Sequence, residues 1–177
     1  MRVHWVFLFA ITTLVVALDQ LTKALVVANL ALNEEWAPFP ALAHLFAFTH
    51  ITNTGAAFGI LPDAGAAFLL IRMAVVVLIL YYYRKLPPAI DGGASGPRTW
   101  LMRLALGLLL GGALGNLIDQ LRLGHVIDFI HLKFWPVFNV ADSGVVIGVV
   151  LLAGVLLLEE RKARASRTAQ GEEEESL

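Results

Sequence analysis

Four long apolar runs, separated by polar or glycine- and proline-rich stretches, organise the chain. A helix needs roughly 20 apolar residues to cross a ~30 Å hydrocarbon core. On that measure, spanning helices are predicted at about 3–29, 64–83, 99–118 and 140–158. The first run could also be the core of a cleavable signal peptide. However, the helical pattern passes through Asp19 and Lys23 without a breaker, which favours a span. The second run ends in Tyr81, Tyr82, Tyr83, Arg84 and Lys85, an interfacial aromatic belt followed by a basic anchor. In the third, Gly107, Gly111 and Gly115 recur every four residues, a spacing that lets helix backbones approach closely in lipid.

Between the runs the texture changes. In residues 30–62, Phe46, Phe48 and His50 alternate with Ala47, Thr49 and Ile51, which predicts a short strand. Asn53-Thr54-Gly55 is a turn signal. This segment is too polar and broken to cross a membrane, so it is expected to form an extramembrane cap, and it could close over a bound peptide as a lid. Residues 86–98 read as a flexible loop and 119–139 as a second outer segment. Residues 161–177 are expected to be a disordered tail.

Composition agrees. The chain is 58% hydrophobic and 15% charged over 177 residues, whereas soluble domains run at about 45–50% apolar and about 25% charged. Mean hydropathy is +0.75. The fold class expected is an all-α polytopic membrane protein: four transmembrane helices with a small extracytoplasmic β-containing cap. Residues 1–160 form one domain in this reading. A net charge of −1 gives no support for nucleic-acid binding. The absence of cysteine excludes disulfides, thiol nucleophiles and cysteine metal sites.

Charge sets the expected orientation. Arg2, Arg84, Lys85, Arg98, Arg103, Arg161, Lys162, Arg164 and Arg167 fall on one side, and only Lys23, Arg122 and Lys133 on the other. The richer side is cytoplasmic by the positive-inside rule, and both termini lie there. Asp19, Lys23, Asn53, Asn116, Asp128, Asn139 and Asp142 then share the outer side. Asp19 stands roughly 20 Å above Val6 on its helix. Asp19 and Lys23, spaced i, i+4, can pair. Arg72, near the outer end of the second run, either snorkels to the headgroups or meets Asp19.

Residues 115–144 hold Asp119, Asp128 and Asp142. A carboxylate kept inside an apolar run, as Asp142 is, usually serves a function. Asp128 and Asp142 are expected to meet as a catalytic pair. Two neighbouring carboxylates share a proton, so one acts as base toward water while the other acts as acid. His125, Asp128 and His131 could present metal ligands on one face if that stretch were helical. No HExxH pattern accompanies them, and no metal or cofactor is expected. Ser143 has no obvious base and reads as a helix-start residue.

The motifs DQLTK (Asp19 to Lys23), TNTGAAFG (Thr52 to Gly59), GGALGNLIDQLRLGHVIDFI (Gly111 to Ile130) and FNVADS (Phe138 to Ser143) occur in this order along the chain. In these the chain resembles the bacterial lipoprotein signal peptidases, also called signal peptidase II, which are aspartic endopeptidases of the inner membrane. The resemblance implies that Asp128 and Asp142 form the catalytic dyad. It also implies that Asn53, Gly55, Asn116 and Asn139 line the site, with Asp19 and Lys23 supporting it. The implied substrate is a prolipoprotein whose lipobox cysteine carries diacylglycerol, cut just before that cysteine. The implied partners are that signal peptide and membrane lipids, and the enzyme is expected to be a monomer. One position departs from the pattern: the family commonly shows Asp-Arg after its GN motif, and here Gln120 follows Asp119. Gln120 and Arg122 are the candidates for that arginine's role. The competing function is a proton-coupled transporter or channel using intramembrane aspartates, which predicts acidic groups spread through the membrane depth. A structural assembly factor, its aspartates only bracing loops, is a third.

Overall fold

The computed structural model describes residues 2–54, 64–86 and 97–175. In chain order the elements are α1 (Arg2–Asn29), β1 (Glu35–Trp36), a 3-10 turn (Pro40–Leu42), β2 (Phe46–Asn53), α2 (Ala64–Lys85), α3 (Pro97–Leu123), β3 (Val126–Leu132) and α4 (Val140–Glu175). Three helical stretches, Trp5–Asn29, Arg98–Leu123 and Val140–Arg161, are long and apolar enough to cross a membrane. Their outward side chains are apolar as well. Val6, Leu14 and Leu21 on α1 and Val146, Val150 and Leu157 on α4 are all exposed. Helices close their backbone hydrogen bonds internally, so such surfaces suit lipid. The chain is a multi-pass membrane protein.

Helix α3 sits at the centre, packed on α1, α2 and α4. Its glycines permit this. A Cβ on Gly107 or Gly111 would overlap Ile11 or Val15 of α1, and one on Gly112 would run into the Ala141 carbonyl and Val145 of α4. Tyr83 of α2 is buried in an apolar cluster with Leu8, Ile79, Leu106 and Leu110.

The segments between α1 and α2 and between α3 and α4 form one antiparallel sheet in the order β1-β2-β3. The alternation read in 46–51 lies on β2, with Ala47 and Thr49 buried. Pairing of β2 with β3 slips between Phe48 and Ile51, a bulge that re-aims the side chains beyond it. Trp36 stacks on Phe48 across β1 and β2, with ring centroids 5.9 Å apart.

Three expectations change. Residues 119–139 are not simply a loop: α3 continues to Leu123, and 126–132 pair as a strand. A strand sends alternate side chains to opposite faces, so Asp128 and His131 do not share one. His131 instead joins Glu35, Thr49 and Lys133 on the sheet. The Lys133 ammonium there holds the Glu35 carboxyl below its usual value. The tail, finally, is helical to Glu175 rather than disordered. Its Glu, Lys, Arg, Ala and Gln residues are good helix formers, and Arg164 pairs with Glu160 one turn back. Gly55 and residues 55–63 of the expected lid lie outside the described residues.

Replacing Gly112 by Ala should force α3 and α4 apart and cost about 1–3 kcal/mol. Thermal unfolding in detergent would read this as a lower midpoint, and an unchanged midpoint would refute the close approach.

Candidate active site

Lys23, about six turns into a long apolar helix, is only 2% exposed. Its Nζ lies 2.8 Å from Asp19 Oδ2 on its own helix and 2.8 Å from Asp119 Oδ2 on α3. It also donates to Asn116 Oδ1 at 3.0 Å. Asp19 is fully buried, and its second oxygen accepts the Ala141 backbone N–H of α4 at 2.9 Å. Asp119 accepts from Gln20 Nε2 at 2.8 Å and from the Ile127 N–H of β3 at 3.2 Å. One ion cluster therefore joins α1, α3, α4 and β3.

Asn139 caps α4. Its Oδ1 accepts the Asp142 N–H at 2.8 Å, and its own N–H donates to Asp142 Oδ2 at 3.3 Å. This reciprocal arrangement is a capping box, and it fixes Asp142 in the helix's first turn. The other Asp142 oxygen accepts from Asn116 Nδ2 at 2.7 Å. Asn139 Nδ2 donates to Asp128 Oδ1 at 2.7 Å. Asp128 stands opposite Ile51 in the ladder, so Asn53, two residues on, is its diagonal neighbour on the same face. Asn53 Nδ2 donates to Asp128 Oδ2 at 2.9 Å. Asn139, fully buried, thus bridges the two aspartates that 115–144 singled out.

Asp128 is 3% exposed. Burial pushes its carboxyl up to about 6; the Asn53 hydrogen bond opposes the rise, and the nearby Asp142 charge adds to it. A carboxyl that holds its proton up to about pH 6, beside a second carboxyl, is the arrangement acid–base hydrolysis requires.

Residues 11–158 match the family described as signal peptidase (SPase) II. The chain belongs to the signal peptidase II family. The lipoprotein signal peptidase of Moorella thermoacetica is 45% identical over 145 residues, covering 82% of this chain and 89% of the relative. That of Halothermothrix orenii is 40% identical, with 86% and 97% covered. A bacterial membrane enzyme solved by the in meso method at 1.9 Å resolution is 32% identical, with a TM-score of 0.71 over 85% of this chain and 92% of that one. Signal peptidase II is a membrane aspartic peptidase, so the chemistry belongs to carboxyl groups. The transporter alternative finds no support: the buried carboxyl groups gather in one network.

Most expected site residues come together: Asp19, Lys23, Asn53, Asn116, Asp128, Asn139 and Asp142 form one connected network. Gln120 does not join it, and Arg122 touches it only at its edge, through Gln20. Gln120 Nε2 donates to the Gly124 carbonyl and its Oε1 accepts from Arg72 at 3.1 Å. Arg122 points the other way, with Nη1 3.5 Å from Gln20 Oε1 on α1. Arg72 therefore meets Gln120, not Asp19. Two members were missed, Gln20 and Asp119. Asp119 lies three residues after Asn116, on the same helix face, and that spacing was the available signal.

Lys23→Met should destabilise the fold by about 3–5 kcal/mol, because two buried carboxylates lose their cation. Unfolding in detergent micelles measures this, and a loss below ~1 kcal/mol would show that the cluster carries little.

Proposed function

We propose that this signal peptidase II removes the signal peptide from diacylglyceryl-modified prolipoproteins, cutting just before the lipidated cysteine, with Asp128 and Asp142 as the catalytic pair. The observation that carries this reading is the Asn139 bridge, in which its side-chain amide donates to the Asp128 carboxyl and its backbone N–H to the Asp142 carboxyl. Asp142 takes a proton from water, and the resulting hydroxide attacks the scissile carbonyl carbon. Asp128 supplies its proton to the carbonyl oxygen. Collapse of the tetrahedral intermediate breaks the C–N bond, with a proton passing to the leaving amine of the cysteine. Asn53, Asn116 and Asn139 hold the pair through neutral donors. Asp19, Lys23 and Asp119 fix the helices beneath it.

Further parts of the reading rest on the sequence. Helix α2 is the fourth crossing; its apolar length, closing tyrosines and Arg84-Lys85 support this. The excess of Lys and Arg at the opposite end from the aspartates supports cytoplasmic termini and an outer-face site in the inner membrane. A lipidated substrate arriving from the bilayer suits a site at that boundary, and the chain works as a monomer, one domain over residues 1–160.

Asp128→Asn and Asp142→Asn should each lower turnover of a diacylglyceryl lipobox peptide by at least about 10³-fold, while unfolding midpoints stay near wild type. Turnover retained in either variant would exclude the pair.

The pH dependence follows from Asp128. Its raised value means the proton is held below about pH 6 and lost as pH rises through about 6. The log kcat/KM profile should therefore be bell-shaped, its basic limb set by the pair's upper apparent pKa. The Asn53 hydrogen bond favours the ionised form, so Asn53→Ala should move that limb to higher pH. A limb that stays fixed, or moves down, contradicts the assignment of the proton to Asp128.

A further inference from the structure

Arg72 lies about 12 Å along α2 from its first residue, in a helix otherwise apolar from Ala64 to Leu80. A cation at such a place is costly and normally faces the protein interior or a polar cavity. Here the side chain is half-buried. Its guanidinium is held by the neutral Gln120 side chain, with Nη1 3.1 Å from Oε1. Gln120 is itself anchored, donating to the Gly124 carbonyl at the turn before β3. Among the described residues, none of the ion pairs includes Arg72, so no carboxylate answers it. Gln120 stands one turn beyond Asn116 on the same face of α3, about 6 Å along the axis, and Asn116 donates to Asp142. The guanidinium is thus held, without being neutralised, one turn along α3 from the asparagine that contacts Asp142.

We propose that Arg72 is a substrate-positioning residue: seated on Gln120, its remaining N–H groups bind peptide carbonyl oxygens beside the scissile bond. Resting on the catalytic pair described above, the assignment adds a residue to it. A guanidinium has five N–H donors and no acceptor, which matches an extended peptide's carbonyls. A neutral amide seat orients the fork and leaves its charge for the substrate.

The test uses the full-length enzyme in detergent micelles with a diacylglyceryl lipobox peptide. Arg72→Gln should lower kcat/KM about 10- to 100-fold, the loss typical of a charged hydrogen bond, with an unchanged unfolding midpoint. Binding of the same peptide to the Asp128→Asn variant should weaken by a similar factor when Arg72→Gln is added. That readout is independent of turnover and so separates this proposal from the identity of the catalytic pair. Adding Gln120→Arg to Arg72→Gln moves the guanidinium across the contact and should restore most of the affinity. A dialkyl-ether lipid on the peptide should leave the Arg72→Gln penalty unchanged. A penalty below twofold, absence of rescue by Gln120→Arg, or a penalty that vanishes on the ether substrate would each overturn the assignment.

Discussion

The structure depends on one buried cation. Lys23 is held between Asp19 and Asp119, on two helices whose sequences lie nearly a hundred residues apart. Burying three charges is expensive, and such clusters endure only when geometry satisfies every partner. Here it does. Asp19 also receives the Ala141 N–H, and Asp119 receives Gln20 and the Ile127 N–H. Each of these bonds crosses from one element to another. The register of α1, α3, α4 and β3 is thereby fixed by polar contacts, in surroundings where apolar packing against lipid gives little preference among alignments. Gly115 belongs to the same device, since a Cβ there would meet the Asp19 carboxylate.

From this cluster, order passes to the aspartate pair through two asparagines. Asn116 Oδ1 accepts both Lys23 Nζ and Asn139 Nδ2, which leaves its Nδ2 facing Asp142. The amide cannot flip without setting donor against donor. Asn139 is similarly constrained, capping α4 with its oxygen while its nitrogen reaches Asp128. A site held this way needs little rearrangement as charge develops in a reaction.

Much of this was legible in the sequence. Apolar runs of bilayer length gave α1, α3 and α4, and the alternation at 46–51 gave β2. The pairing of Asp19 with Lys23 followed from i, i+4 spacing alone. What escaped reading shares a cause. VIDFIHL is a short apolar stretch whose strand character depends on β2, eighty residues earlier, and its own periodicity cannot separate strand from loop. Asp119 fell in the outer segment rather than on α3 because the helix was ended where apolar residues stop. The buried partner that keeps Asp119 helical, Lys23, is remote in sequence. Arg72 was matched to Asp19 by depth, yet depth says nothing of azimuth, and α2 packs mainly on α3, whose Gln120 takes the guanidinium.

The same cation also separates the four aspartates, three buried and Asp142 half-buried, into two kinds. Lys23 touches Asp19 and Asp119 directly, so their charges are answered within the cluster. Its hydrogen bonds reach Asp142 only through the Asn116 amide, and Asp128 only through Asn116 and Asn139, and its charge acts on Asp128 more weakly than burial does. An amide transmits position but carries no net charge, so the second pair is placed without being neutralised. That difference leaves burial free to raise the Asp128 carboxyl to about 6, where a direct ion pair would have lowered it. Position along the hydrogen-bond chain from Lys23, more than residue type, separates the aspartates that brace the helices from those left able to exchange a proton.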